Sequence, residues 1–386
     1  MTPRFSRTSD AMRALLLAAA ILLPGVAWSW EAGVPVVKKA SYDITNLPTE
    51  HLFTIDTEWA LAPGSHGSGL AWLDNWRVMF SGVLLHKDRT EKRGIHIWDV
   101  AANKVSQYSE HVKFCYGAGY IVAVGPRQER NDEKRSAISL ISHGVLGQER
   151  NETCDSLTGK GCQGMLNMSC KPREYVGQPL GNESSILLEL RSSDGVIVSL
   201  SAGGLLDSLE KIKKYYSKPL MLVSKRYPKG KSLPIAAIEE PMARGAAYSD
   251  FAQRYVLVPH RPIDGEPRHS TNWPKERPQP VYLMSSDGAI DAIQVPWRAE
   301  WTTVISAMPT RSGLIFMGGG GHSNQWGGLF LYDNREVWSL DRGRVETFAV
   351  SPDGCRVAYA IINDYGKIKN VRFNSIKSIN FCEGGK

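Results

Sequence analysis

The chain lacks the short motifs that announce common chemistry. It has no G-x-S-x-G nucleophile elbow, no G-x-x-x-x-G-K-[ST] phosphate loop, no H-E-x-x-H zinc helix and no EF-hand loop. Those absences remove the ready-made signatures of serine hydrolases of that type, P-loop NTPases, zinc proteases and calcium sensors. The paired acids of glycoside hydrolases have no linear signature, so they stay open. The six cysteines contain no C-x-x-C pair, which argues against a zinc finger. No run of Lys or Arg interleaves with aromatics, so nucleic acid is not an expected partner. Beyond residue 29 no apolar run approaches the roughly 20 residues that a membrane-spanning helix needs.

What is present begins with a leader. Arg4, Arg7 and Arg13 precede the apolar run 14–23, Pro24 breaks it, and Ala27 and Ser29 supply small residues at a cleavage site. This is the pattern of a secretory signal peptide over residues 1–29, with the cut after Ser29 and no lipid-accepting cysteine there. The expected location is periplasmic or secreted, and residues 30–386 form the mature chain as a single domain. The formal net charge of +7 falls by two when the leader is removed. A basic exported chain suits an envelope protein or an anionic glycan as partner. Cys115, Cys154, Cys162, Cys170, Cys355 and Cys382 are even in number, which in an exported chain suggests disulfides. Six cysteines allow 15 pairings, and the sequence does not choose among them.

A four-part phrase repeats along the chain: a short apolar run, a tight polar turn, a second run, a variable loop, a third run often ending in Asp, another turn and a fourth run. One copy reads 68–73, 77–80, 94–100 and 105–108, and others begin near 112, 186, 246, 303 and 345. Short β-rich runs between turn residues read as strands. Four strands per unit, repeated along the chain, predict an all-β β-propeller of six to seven four-stranded blades. A β-sandwich would have similar strands without the four-strand period. The segments 51–55 and 58–61 are expected to close the ring by pairing with the last blade or to supply part of a seventh.

The clearest copy is Ser351-Pro-Asp-Gly354 followed by Arg356-Val-Ala-Tyr359. It resembles the WD40-like repeat of TolB-type exported propellers. Pro352 suits the second position of a turn, and Gly354 accepts a positive φ. The resemblance implies a fold and an exported setting, and it carries over no catalytic residue. Two stretches break the period. Residues 151–181 are rich in Gly, Cys and polar side chains and read as an insertion. Residues 204–217 place Leu205, Leu209, Ile212 and Tyr216 on one helical face and read as a short helix.

The stretch 317–328, MGGGGHSNQWGG, falls between the second and third strands of its copy. Loops at 84–93, 126–135, 203–217, 260–279 and 362–368 occupy the same position, so all six should gather on one face. Variable loops on rigid strands are where propeller ligands bind. The candidate ligand-binding residues there are His66, His260, Trp273, His322, Asn324, Gln325, Trp326 and Tyr365, with His86, His269 and Asp364 nearby. Two readings follow. In the first, the face binds a protein or glycan without catalysis and no cofactor is expected. In the second, His66, His260 and His322 hold a divalent metal at the channel mouth for a lyase or hydrolase acting on an acidic sugar.

Overall fold

The strand Arg77–Leu85 (RVMFSGVLL) is apolar on both faces because it is buried on both faces. Val78, Phe80 and Leu84 point one way, packing with Leu70, Trp72 and Trp98 against Ala358, Ala360 and Ile376. Met79 points the other way and packs with Ile95 against Phe114, Ile121 and Ala123. Successive side chains of a strand alternate between its faces, so the stretch of a strand that is stacked between two sheets is largely apolar on both.

The structure is a computed structural model that describes residues 38–39, 42–54, 70–85, 91–117, 119–125, 128–129, 137–155, 186–191, 196–200, 219–223, 231–236, 246–258, 278–285, 289–296, 303–319, 327–364 and 371–382. Among the described residues every regular element is a strand and none is a helix. The leader 1–29, the predicted helix 204–217 and the sulfur-bearing side chains of Cys115, Cys154, Cys162 and Cys170 lie outside them.

The strands assemble as four-stranded antiparallel meanders. Leu70–Trp72, Arg77–Leu85, Glu91–Asp99 and Lys104–Ser109 form one. Lys113–Gly117, Tyr120–Val124, Ala137–Val145 and Arg150–Asp155 form the next. Its fourth strand occupies the front of the stretch read from sequence as an insertion. Ile186–Arg191, Val196–Leu200, Pro219–Val223 and Lys231–Ala236 follow. Then come Ala246–Ser249, Arg254–Leu257, Gln279–Met284 and Ile290–Val295. Thr303–Thr310, Gly313–Gly319, Gly328–Tyr332 and Val337–Arg342 repeat the pattern.

The last meander departs from the sequence reading. Its second half was expected to be two strands, but Val371–Asn380 is one continuous strand paired with Arg356–Asp364. Its fourth strand comes from the other end of the chain: Ile44–Asn46 pairs antiparallel with Ile379 back to Lys377. Glu50–Thr54 then bridges two meanders, pairing with Val371–Asn374 on one edge and Val83–Leu85 on the other. Chain-end pairing of this kind covers strand edges that would otherwise stand open.

First strands of several meanders touch. Arg344–Val350 contacts both Thr303–Thr310 and Leu70–Trp72, Leu70–Trp72 contacts Lys113–Gly117, and Ala246–Ser249 contacts Thr303–Thr310. The meanders stack face to face through apolar layers. Val256, Val281 and Val295 meet Val304, Leu314 and Phe316. Ile315, Leu329 and Leu331 meet Val357, Tyr359 and Ile361. Meanders stacked around their first strands make a β-propeller.

The turns show the local chemistry that the repeat encodes. Gly354 N–H donates to the Ser351 carbonyl at 2.8 Å, closing the Ser351–Gly354 turn, and Gly354 has φ +73° as the sequence requires. The Asp that ends a third run caps the following turn. Asp99 accepts from the Ala102 amide, and Asp333 from those of Arg335 and Glu336. The disulfide Cys355–Cys382 staples this last meander, with Cα atoms 5.3 Å apart.

Candidate functional site

Each meander has two ends. One carries the loops between second and third strands; the other carries the short turns between first and second and between third and fourth. The ladders place the loop ends as expected from sequence: Leu85 opposite Glu91, Leu257 opposite Tyr282, Gly318 opposite Gly328 and Asp364 opposite Phe373. The loop read as MGGGGHSNQWGG therefore leaves a hairpin at the predicted position. His66, His86, His260, His269, Trp273, His322, Asn324, Gln325, Trp326 and Tyr365 lie outside the described residues, as does the side chain of Asp364.

The opposite end is built in detail, and sequence reasoning did not single it out. There the first turns of several meanders converge. Asp74 organises its own turn, accepting from the Trp76 and Arg77 amides at 2.8 Å each and from the Arg77 guanidinium at 2.6 Å. Partial burial alone would raise the Asp74 pKa, but these donors outweigh it and hold the carboxyl below its usual range. The neighbouring Asn75 reaches across to the last meander, where its Oδ1 accepts from the Asp353 amide at 3.1 Å. Trp76 lies over the buried Arg356, whose guanidinium carbon sits 3.6 Å from the ring centroid. Arg356 also faces Asp353 at 3.5 Å.

A third meander joins through Arg311. Its amide donates to the Gly354 carbonyl at 3.0 Å and its Nε to the Asp353 carbonyl at 2.8 Å. A fourth joins through Phe251, whose ring packs so closely on Gly354 that a Cβ there would sit 2.5 Å from it. Tyr116 ties in the meander that follows residue 109, donating to the Leu73 carbonyl at 3.5 Å. Burial raises the Tyr116 pKa, and the charges of Asp250 and Asp74 add to the effect. The Ser351-Pro-Asp-Gly354 turn, read from sequence as a fold signature, is thus the hub of this end. Among the described residues of these turns, Trp76 is the large apolar side chain that is well exposed, at 44%.

Three further polar clusters brace the sheets. Tyr120 Oη lies 3.1 Å from His143 Nδ1, and His143 Nε2 lies 3.1 Å from Glu152. Tyr108 donates to Glu149, and burial followed by that bond pushes the phenol pKa up to about 12. His111, beside them, is held below its usual pKa by burial, partly offset by the Glu149 charge. Asp341 accepts from Tyr359 and from Lys377 at 2.8 Å each, joining the last two meanders. His96, on the strand Glu91–Asp99, is fully buried and stacks on Phe80 at 5.4 Å. Among the described residues no group of His, Cys, Asp and Glu has the arrangement of a metal site.

No protein-family model matches the chain, and no curated protein matches it in sequence. Among solved structures it is similar to an acylaminoacyl peptidase from Pyrococcus horikoshii, at 12% identity and TM-score 0.42, over 81% of this chain and 49% of that one. A second acylaminoacyl peptidase matches at 9% identity and TM-score 0.33, over 82% of this chain and 43% of that one. The β-propeller domain of the trilobed protease from Pyrococcus furiosus matches at 12% identity and TM-score 0.32, over 82% and 80%. The chain spans less than half the length of the two acylaminoacyl peptidases. The propeller assignment rests on the strand pairing and the apolar layers between meanders.

Proposed function

We propose that the chain is an exported, six-bladed, TolB-type propeller that acts as a non-catalytic binding module. Ile44–Asn46 closes its ring, and the loops between second and third strands take an anionic glycan or an envelope protein. One observation carries this reading. The segments between second and third strands leave the meanders at one end, and those at 259–277 and 320–326 carry His, Trp and Gly, while the opposite turns are short and knitted together across meanders. That is a rigid frame presenting variable segments, the usual division between scaffold and ligand contacts. The Cys355–Cys382 disulfide supports an oxidising, exported setting.

The test is calorimetric titration of the mature protein with an oligogalacturonate, beside a variant carrying His322→Ala, Trp326→Ala and Trp273→Ala together. Loss of binding at unchanged melting temperature supports the loop face. Equal binding by both proteins removes it. Metal analysis of the same protein, purified without chelator beside His322→Ala, separates the catalytic alternative. One metal per chain that is lost in the variant would favour the metal-assisted lyase or hydrolase over the binding module.

A further inference from the structure

The turn end holds a feature that the loop-face reading does not use. Trp76 is well exposed although its ring lies against a buried guanidinium 3.6 Å away. Covering Arg356 needs only one face of the indole. We infer that Trp76 is the stacking platform of a second recognition site, on the turn end of the propeller, for the apolar C–H face of a neutral pyranose.

The chemistry around the ring selects this ligand class. A cationic ligand is disfavoured, because Arg356 already lies against the ring and a second cation would be repelled across it. An anion is not favoured either. Of the charges beside Trp76, Arg77 is paired with Asp74 at 2.6 Å, Arg356 faces Asp353 at 3.5 Å, and the Arg311 guanidinium is engaged by the Asp353 carbonyl at 2.8 Å, so each nearby cation already has an oxygen partner. Paired charges of both signs provide donors and acceptors side by side, and a sugar hydroxyl is both donor and acceptor. An exposed aromatic face beside such groups suits a ring with one apolar face and a hydroxylated edge. The platform is also held still. The Asp74 carboxylate fixes the Trp76 amide, and the Trp76 carbonyl accepts from the Val100 amide at 2.9 Å. Little ordering would remain for the ligand to drive, which favours affinity.

The site is independent of the loop face, and one titration separates them. Chitotriose in its fully N-acetylated, neutral form is titrated into the mature protein, into Trp76→Ala, into Trp76→Tyr and into the His322/Trp326/Trp273 triple alanine variant. Saturable binding is expected for the parent, for Trp76→Tyr and for the triple variant. Trp76→Ala should bind at least about tenfold more weakly, the loss expected of one aromatic stacking contact together with its buried area. Trp76→Tyr keeps a ring over Arg356, so it distinguishes loss of the platform from loss of the turn. The inference is overturned if the parent does not bind chitotriose saturably, if Trp76→Ala binds as the parent does, or if only the triple variant loses binding.

Discussion

The Asp353 amide donates to Asn75 Oδ1 at 3.1 Å, joining turns that lie 278 residues apart in the chain. With the Trp76–Arg356 stack beside it, this bond ties the first complete meander to the last. Asn75→Ala leaves a partly buried amide without its acceptor. The expected loss is about 1–2 kcal/mol of unfolding free energy. Urea denaturation checks it, and an unchanged midpoint would show that water replaces the side chain without cost.

Gly354 should tolerate substitution poorly, for two separable reasons. Its φ of +73° strains any side chain, and a Cβ would meet the Phe251 ring at 2.5 Å. Gly354→Ala is expected to cost about 2 kcal/mol or more, with the backbone strain alone near 1 kcal/mol. Combining it with Phe251→Ala tests the division. The double variant should be more stable than the sum of the two single losses implies, because the clash is gone. Strict additivity in thermal melts would mean that the ring simply moves aside.

These two turns also mark the limit of what the sequence discloses. Pro352 and Gly354 specify a turn by local sterics alone, so that turn and its positive φ were legible. The four-strand period was legible because strands buried on both faces, such as Arg77–Leu85, read as largely apolar runs between polar turns. The adjacency of Asn75 and Asp353 was not, since neither residue's local pattern names a partner in another meander. Ile44–Asn46 escaped for a related reason. A three-residue strand has no period to detect, and only the open edge of Val371–Asn380 requires it. The candidate loop residues could be assigned to a hairpin position by counting strands, but counting fixes no side-chain geometry.

The disulfide makes a prediction about export. Six cysteines left the pairing open, and the structure joins Cys355 to Cys382, 27 residues apart. A loop of that length should contribute about 3–4 kcal/mol through the entropy of the unfolded chain. Cys355→Ser with Cys382→Ser is expected to lower the melting temperature of the mature protein markedly. Reductant should have the same effect on the parent. Peptide mapping without reduction should recover the two segments joined, and recovery of either with another cysteine partner would contradict the pairing.

Acid should weaken the fold in two stages. His111 is held below its ordinary pKa chiefly by burial, so the unfolded chain binds its proton more readily. Stability should therefore fall as pH drops below about 6.5, levelling once the folded state is protonated as well. Asp74, Asp333 and Glu149 have depressed folded pKa values, owing to hydrogen bonds that outweigh their desolvation in Asp74 and Glu149 and lead in Asp333. Their contribution is complete above the unfolded carboxylate range and is lost as pH falls through the lower folded values, below about 4. Urea midpoints measured from pH 8 to pH 3 should show both declines. In His111→Asn the upper one should disappear while the lower one remains. An upper decline that persists in that variant would assign it to another group.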